Sequence, residues 1–320
     1  MQIPKLSLDQ FQVIRTIGVG SFSHVDLCYH VPSENYCVLK VMSKQRLIEL
    51  NQVEHVQSER EIIAMIHHPN VAIFYGSFQD HDSLYMMLEY IPGGEVFSHL
   101  RTLERFDLDV VRFYAAEILL VFQELHNYGI IYRDLKLENL LFTQDGHIKF
   151  IDFGFAKRIV DRTYTLCGTS EYLAPEIIRG EGASFASDWW AFGVLIYEML
   201  VGETPFYDPN DNRMYQLICH GEISFPIGID DTTQDLIKSL LRVDPTQRLG
   251  CTIAGAEEIK THNWFFGIEW DKVYEHRYQP PLVPYVEDLA DSNNYADYSD
   301  HDLSPVPLTA PTTPEMFAAF

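Results

Sequence analysis

Between residues 25 and 40, apolar side chains fall on every second position. Val25, Leu27 and Tyr29 alternate, the turn-forming run "VPSEN" follows, and the alternation resumes through Tyr36, Val38 and Lys40. Successive strand side chains point to opposite faces, so this period predicts strand, turn, strand. The period then changes. Val56, Ile62, Ile63 and Ile66 lie near helical spacing, which predicts one helix over roughly residues 51–66, ended by "HHPN". "MMLEYIPGGEV" carries a buried strand (Met86, Met87, Leu88) into a Pro-Gly-Gly break at Pro92 to Gly94. Beyond it the pattern is mainly helical. "DVVRFYAAEILLVFQELHNYGI" predicts a long amphipathic helix ending near Gly129, and "SDWWAFGVLIYEML" is so apolar that it predicts a largely buried one. The expected class is α+β with two lobes: an extension over 1–10, a small mainly-β lobe with one key helix over 11–88, a hinge over 89–95 and a large mainly-α lobe over 96–267. Residues 268–320 form a tail. It is rich in proline and acid and would be disordered by composition, but Tyr295, Tyr298, Phe317 and Phe320 supply docking anchors.

The turn before this hairpin reads "IGVGSFSHV", from Ile17 to Val25. Gly18 and Gly20 begin a G-x-G-x-x-G pattern, and Ser23 stands where its last glycine belongs. Two glycines at this spacing occur in many tight turns. A dinucleotide loop would open a helix and carry an acid about 20 residues on. Here strands flank the loop, and the residue at that distance from Gly20 is Lys40, a base. The pattern disfavours a nicotinamide fold and favours a hairpin lid over a triphosphate.

Composition narrows the partners. The 320 residues are 47% hydrophobic, enough to bury a sizeable core. The formal charge of −23 argues against nucleic acid, whose phosphates need a basic surface. It suits solubility or a basic substrate. Beyond Arg277 there is no Lys or Arg, whereas Glu287, Asp288, Asp291, Asp297, Asp300, Asp302 and Glu315 are acidic. The five cysteines are scattered and include no C-x-x-C, as expected of reduced thiols in the cytoplasm or nucleus. No membrane anchor is expected: no apolar run approaches the roughly 18 residues a span needs, and Gln2 occupies the position where myristoylation requires glycine.

The chemistry concentrates in "IIYRDLKLENLLF". Arg133, Asp134, Lys136 and Asn139 stand between apolar runs that read as buried strands, where charged groups need partners or ligands. "IKFIDFGFAK" follows, with Asp152 at the end of another apolar run. These residues, in this order and downstream of Gly18, Gly20 and Lys40, resemble a eukaryotic protein kinase of the AGC group, of the cAMP-dependent type. "YRDLKLENLL", "DFGFAKR", "RTYTLCGTSEYLAPE", "DWWAFGVLIYEM" and "EYIPGGEVFSHL" carry the resemblance, which covers roughly residues 10–267 and extends into the tail.

The resemblance implies the bilobal protein kinase fold, with ATP and two Mg2+ ions as cofactors. Lys40 would hold the α- and β-phosphates, directed by Glu59, with Glu61 the nearest competitor. Asp152 and Asn139 would bind magnesium, Asp134 would orient the substrate hydroxyl, and Lys136 would neutralise the γ-phosphate. The loop Ile17, Gly18, Val19, Gly20, Ser21, Phe22, Ser23, His24 and Val25 would cover the nucleotide, with the N–H groups of Ser21 and Phe22 capping its phosphates. Adenine would lie among Ile17, Val25, Val38, Leu88, Leu141 and Ile151, read by the backbone at Glu89 and Ile91, with Glu95 on the ribose. Glu176 and Arg248 would form a buried structural ion pair.

Regulation and specificity are implied in the same way. Thr165 falls on the activation-loop phosphosite, its phosphate to be held by Arg133, Lys157 and His55. Arg162 three residues before it and Leu166 one after make Thr165 itself a fair basophilic target, so autophosphorylation is expected. Glu95, Glu138, Glu171 and Glu198 match positions that read arginines upstream of the target. Glu198 lies in an apolar helix and is costly there unless it meets a cation. Leu166, Ser170 and Leu173 would form the pocket for the residue after the target, with Ser170 replacing the family's proline. Tyr295 would lie near the adenine, Tyr298 near the substrate, and Phe317 and Phe320 would dock on the small lobe and brace the Glu59 helix. Thr309, Thr312 and Thr313 are candidate tail phosphosites. The expected partners are basic Ser/Thr protein substrates and a cAMP-binding regulatory subunit. Two features of the latter contact are altered: Tyr164 replaces a tryptophan and Glu181 a lysine. Two other readings stand beside this one: a free-standing AGC kinase, and a pseudokinase scaffold without turnover.

Overall fold

The computed structural model describes residues 6–165, 167–301, 303, 306–312, 316–318 and 320. Leu166 and Thr313 lie outside the described residues. The chain divides into two compact units, Met1–His67 with Ala72–Gly94 and Tyr285–Phe320, and His68–Val71 with Glu95–Pro284.

The first unit is built on an antiparallel sheet. Strands β1 (Phe11–Val19), β2 (Ser23–His30), β3 (Asn35–Ser43), β4 (Phe74–Gln79) and β5 (Ser83–Glu89) run in the order β1-β2-β3-β5-β4. The predicted strand–turn–strand is β2 and β3, joined by a short 3₁₀ turn over Val31–Ser33. Strand β5 lies between β3 and β4 and is buried along nearly its whole length, which is why "SLYMMLE" reads as a continuous run without alternation. One sheet face buries Phe11, Cys28, Cys37, Leu39, Phe78, Tyr85 and Met87 together. The rings of Phe11, Phe78 and Tyr85 stack in sequence, with centroids 5.7 and 4.6 Å apart.

The helix expected over 51–66 is present, and a short helix that was not expected precedes it. There are two helices, α1 (Lys44–Glu49) and α2 (Val53–Met65). Asn51 has φ 54°, a left-handed conformation in which a helix cannot continue, and it separates them. Ser43 caps α1 by accepting from Arg46 N–H at 3.4 Å.

Tail residues pack on this same unit. Arg15 donates to the Ala296 carbonyl at 2.5 Å and the Ser292 hydroxyl at 3.4 Å. Tyr295 OH donates to the Ile91 carbonyl at 2.5 Å, and Asn294 Nδ2 to that of Pro92 at 2.9 Å. Gly94, at φ 78°, allows this approach: a Cβ there would stand 2.8 Å from that of Asn294. Phe317 is buried beneath Lys44, and its carbonyl accepts from Gln79 at 2.8 Å. The Met316 carbonyl accepts from Gln57 of α2 at 2.8 Å, so the chain around Phe317 does brace that helix. Phe320 accepts through its carbonyl from Gln79, whereas Tyr298 packs against His301.

The second unit is mainly helical: α3 (Val96–Leu103), α4 (Leu108–Asn127), α5 (Pro175–Ile178), α6 (Phe185–Val201), α7 (Asp211–His220), α8 (Asp231–Leu240), α9 (Ala256–Lys260) and α10 (Trp270–Tyr274). Helix α6 is buried from Ala186 to Leu200, as its uniform apolarity predicts. Aromatic side chains of α4 and α6 (Phe122, Trp189, Phe192) mesh edge to face at 5.6–6.4 Å. Four short strands lie on this core: β6 (Ile130–Ile131) pairs with β9 (Lys157–Arg158), and β7 (Leu140–Phe142) with β8 (Ile148–Phe150). The segments between them hold the polar motifs. No helix among the described residues is long and apolar enough to cross a membrane.

Candidate active site

In the first unit the site begins at the turn between β1 and β2. Gly20 N–H donates to the Ser23 carbonyl at 2.7 Å and closes it. Ser43 N–H donates to the Phe22 carbonyl at 3.0 Å and backs the loop tip against the end of β3. Ser23, opposite Met42 in the ladder, is outside the left-handed region that would demand glycine, so serine is tolerated there. Ile17, Val38, Leu88 and Ile91 are buried, and Val25 is partly so. Glu89 N–H donates to the Ile73 carbonyl at 2.9 Å.

Lys40 lies on β3 and Glu59 on α2. Their side chains meet at 2.5 Å and are 14% and 4% exposed. Glu61, the competing carboxylate, is exposed. Burial makes the choice: a desolvated ammonium needs a counter-charge, and Glu59 supplies it.

In the second unit, the loop between β6 and β7 is folded around Asp134. Asn139 Nδ2 donates to the Asp134 carbonyl and to its Oδ2, both at 2.8 Å. Lys136 Nζ lies 3.3 Å from Oδ2, and Thr169 donates to Oδ1 at 3.4 Å. Burial raises the Asp134 pKa above the ordinary carboxylate range, against the opposing charge of Lys136 and the Asn139 hydrogen bond, and nearby Asp152 pushes the same way. Asp152 follows β8, and its Oδ1 accepts from Gly154 N–H at 2.8 Å. Ile151 N–H donates to the Asn139 carbonyl at 3.2 Å, drawing the Asp152 and Asn139 segments together. Leu141 is buried on β7 and bridges to Glu95, while Ile151 is partly exposed.

One organising residue escaped the sequence reading. Asp188, at the head of α6, accepts from the N–H groups of Tyr132 and Arg133, each at 2.9 Å, and His126 Nε2 lies 2.8 Å away. It holds Arg133 at φ 68°. Its signal was a lone acid in an apolar helix, the argument that singled out Glu198. Arg133 Nε donates to the Phe155 carbonyl at 2.7 Å, whereas its buried Nη1 has no partner. Lys157 pairs with Ile131 across β6 and β9, and Thr165 is exposed. His55 sits on α2 in the first unit, where its Nδ1 is 2.8 Å from Gln52.

The profile of the protein kinase domain matches residues 11–265. The chain belongs to the protein kinase family. It is 47% identical over 296 residues to the cAMP-dependent protein kinase catalytic subunit of Dictyostelium discoideum, covering 92% of this chain and 46% of that protein. It is 46% identical to cAMP-dependent protein kinase catalytic subunit 3 of Drosophila melanogaster, covering 95% and 52%. It is 45% identical to cAMP-dependent protein kinase catalytic subunit PRKX of Mus musculus, covering 98% and 88%. The chain spans about half the length of the first two relatives. The two-lobed α+β expectation is met by a mainly-β unit and a mainly-α unit within this family.

Protein kinases as a family use ATP and Mg2+, and the donors here suit them. Asp152 offers a carboxylate. Asn139 has committed its amide nitrogen to Asp134, which leaves the amide oxygen for a hard cation. The kinase also gathers acid in its helical unit. Glu198 of α6 is buried, bonded to the Tyr172 hydroxyl and 3.3 Å from Arg101 Nη2, so an internal cation meets the requirement for one. Its pKa is raised by burial, then by Glu138 and Glu171. Glu95 is raised by burial and by Glu138, against Lys136. Ser170, where the family has proline, accepts from the Tyr215 hydroxyl at 3.3 Å; Leu173 is buried nearby. The close approach of Gly168 to the Arg133 carbonyl, 2.7 Å from where a Cβ would stand, bars any larger residue.

Proposed function

We propose that this kinase is an ATP- and Mg2+-dependent serine/threonine protein kinase of the cAMP-dependent type, selective for arginine upstream of the target. The observation that carries the reading is the Lys40–Glu59 pair. A partly buried lysine held 2.5 Å from a buried glutamate is the arrangement needed to fix an ammonium on the α- and β-phosphates. The pair also weighs against a pseudokinase. When bound, magnesium supplies charge neutralisation to the phosphates. Asp152 and Asn139 are its proposed ligands, for two ions. Asp134 accepts the hydrogen bond of the substrate hydroxyl and orients it; Lys136 neutralises charge on the transferred group. Ser21 and Phe22 cap phosphate through their N–H groups. In the first unit Ile17, Val25, Val38 and Leu88 are proposed adenine contacts, with the backbone of Glu89 and Ile91 reading the ring; in the second unit Leu141 and Ile151 are proposed adenine contacts and Glu95 a ribose contact. A phosphate on Thr165 would engage Lys157 and Arg133, whose buried Nη1 lacks a partner among the described residues.

Burial first, and then repulsion from Glu138, raise Glu95 and Glu198; a guanidinium brought among these carboxylates would offset both, which supports arginine selection. Glu171 belongs to the same set. Transfer of labelled γ-phosphate to an arrayed peptide library tests both halves. We expect transfer to peptides with upstream arginine, none by Asp152→Ala, and weakened arginine selection in Glu138→Ala. No transfer by Thr165-phosphorylated protein promotes the scaffold reading. Unchanged selection removes Glu138 from the role.

The similarity to cAMP-dependent catalytic subunits supports control by a cAMP-binding regulatory subunit. Immobilised pseudosubstrate regulatory subunit should retain the protein until cAMP is added. Failure to retain it leaves a free-standing kinase.

A further inference from the structure

Away from the phosphotransfer residues, three side chains of the helical unit converge that no kinase role absorbs. Glu117 lies on α4, His147 on the turn into β8, and His276 just after α10. Their nearest ligand atoms all lie within 4.8 Å of one another. His147 Nδ1 is 2.5 Å from Glu117 Oε1, and the imidazoles of His147 and His276 stack 3.8 Å apart at 7°. Ile148 N–H donates to Glu117 Oε2 at 3.1 Å and aims the other carboxylate oxygen inward.

We propose that Glu117, His147 and His276 form a zinc site that clamps the segment after α10 to α4 and β8. Three features distinguish the cluster from ordinary core packing. Glu117 is a carboxylate with no exposed surface, in a place where an acid is costly unless a cation joins it. His276 Nε2 is buried and has no hydrogen-bond partner among the described residues, although a buried imidazole nitrogen ordinarily finds one. His276 also holds φ 52°, a left-handed backbone that presents its ring to the pair.

The donor set selects the ion. Two imidazole nitrogens and one carboxylate oxygen suit zinc, with a fourth position for water. Magnesium and calcium demand oxygen ligands and are poorly served here. Asp145 adds a negative charge beside both histidines, and the Ile148 N–H orients the Glu117 carboxylate. Only His276 of the three is partly exposed, so the ion enters on that side. Entry opens the Glu117–His147 contact and tilts the stacked rings, since tetrahedral ligand atoms stand about 3.3 Å apart.

The test uses the full chain, freed of metal with a chelator. Zinc is titrated against a competing chromophoric chelator, and cobalt is substituted as a spectroscopic probe. We expect one equivalent of zinc bound and visible cobalt bands of a four-coordinate site. His276→Asn is the informative variant, because asparagine tolerates the left-handed backbone but removes the imidazole. It should keep the circular dichroism of the parent, weaken zinc about tenfold or more, and lose the cobalt bands. Glu117→Gln provides a second arm with the same expectation. Absence of stoichiometric zinc in the parent, or equal affinity in parent and His276→Asn, would overturn the proposal.

Discussion

Replacing Asp134 by asparagine lowers the rate of phosphoryl transfer about 10²–10⁴-fold, with ATP affinity nearly unchanged. At about 1.36 kcal/mol per tenfold, that is roughly 3–5 kcal/mol of transition-state stabilisation. The substitution is close to isosteric. The Asn139 bond to the backbone carbonyl of residue 134 survives, so the loop keeps its shape and the lost interaction is the charged acceptor. Single-turnover kinetics is the right measurement, because product release can mask chemistry in steady-state rates. The pH profile adds a second readout. Burial raises the Asp134 pKa, and the carboxylate is the working form. Activity should therefore fall, as pH drops, at a higher pH than an ordinary aspartate would give. That limb should vanish in Asp134→Asn. A single-turnover rate within about tenfold of the parent would remove Asp134 from the reaction.

Glu176→Ala should destabilise the helical unit by about 3–5 kcal/mol, the penalty for a buried charge stripped of its partner. Arg248 is 1% exposed and reaches Glu176 through two parallel bonds, Nη1 to Oε1 at 2.8 Å and Nη2 to Oε2 at 2.9 Å. The same guanidinium donates to the carbonyls of Ala186 and Arg242 at 2.6 and 3.0 Å, and Trp190 packs 5.1 Å from it. Removing the glutamate strands the arginine among partners that cannot neutralise it. Removing both charges in Glu176→Leu with Arg248→Met should cost less than the single change, because no buried ion remains. All four tryptophans (Trp189, Trp190, Trp264, Trp270) belong to this unit, so their fluorescence in urea follows it alone. A midpoint shift worth under about 1 kcal/mol for Glu176→Ala would show the pair to be marginal.

Much of the catalytic chemistry was legible because it is local. Asp134, Lys136 and Asn139 lie within six residues of one another, and the backbone folds that stretch onto itself with the bonds its spacing implies. The alternation through Val25 and Val38 matches a hairpin of β2 and β3, in which Lys40 on β3 stands opposite Val25 at the end of the glycine loop. The uniform apolarity of "SDWWAFGVLIYEML" announced a helix buried on every side, and α6 is one.

Other features were not legible, each for a physical reason. Helix α1 is six residues long, too short to display a helical period, and the left-handed Asn51 sets it apart from the expected helix that follows. Asp188 holds Tyr132 and Arg133 across 55 or more positions; a lone acid in an apolar helix signals that some partner is needed, but local patterning does not say which. Ser170 lost the family's proline, but only packing shows that Tyr215 takes up its hydroxyl.

By itself, then, the sequence determined the strand and helix periods, the order of the chemical groups and the family they belong to. Those properties reside in residue types at short spacing. Tertiary structure added the physical ground for preferring Glu59, already favoured by its motif, over Glu61: the two differ in burial and not in chemistry. It alone showed that Ser23 occupies strand backbone that needs no glycine. It also assembled Glu117, His147 and His276 from positions up to 159 residues apart (276 − 117), since a buried charge recruits partners through space and without regard to distance along the chain.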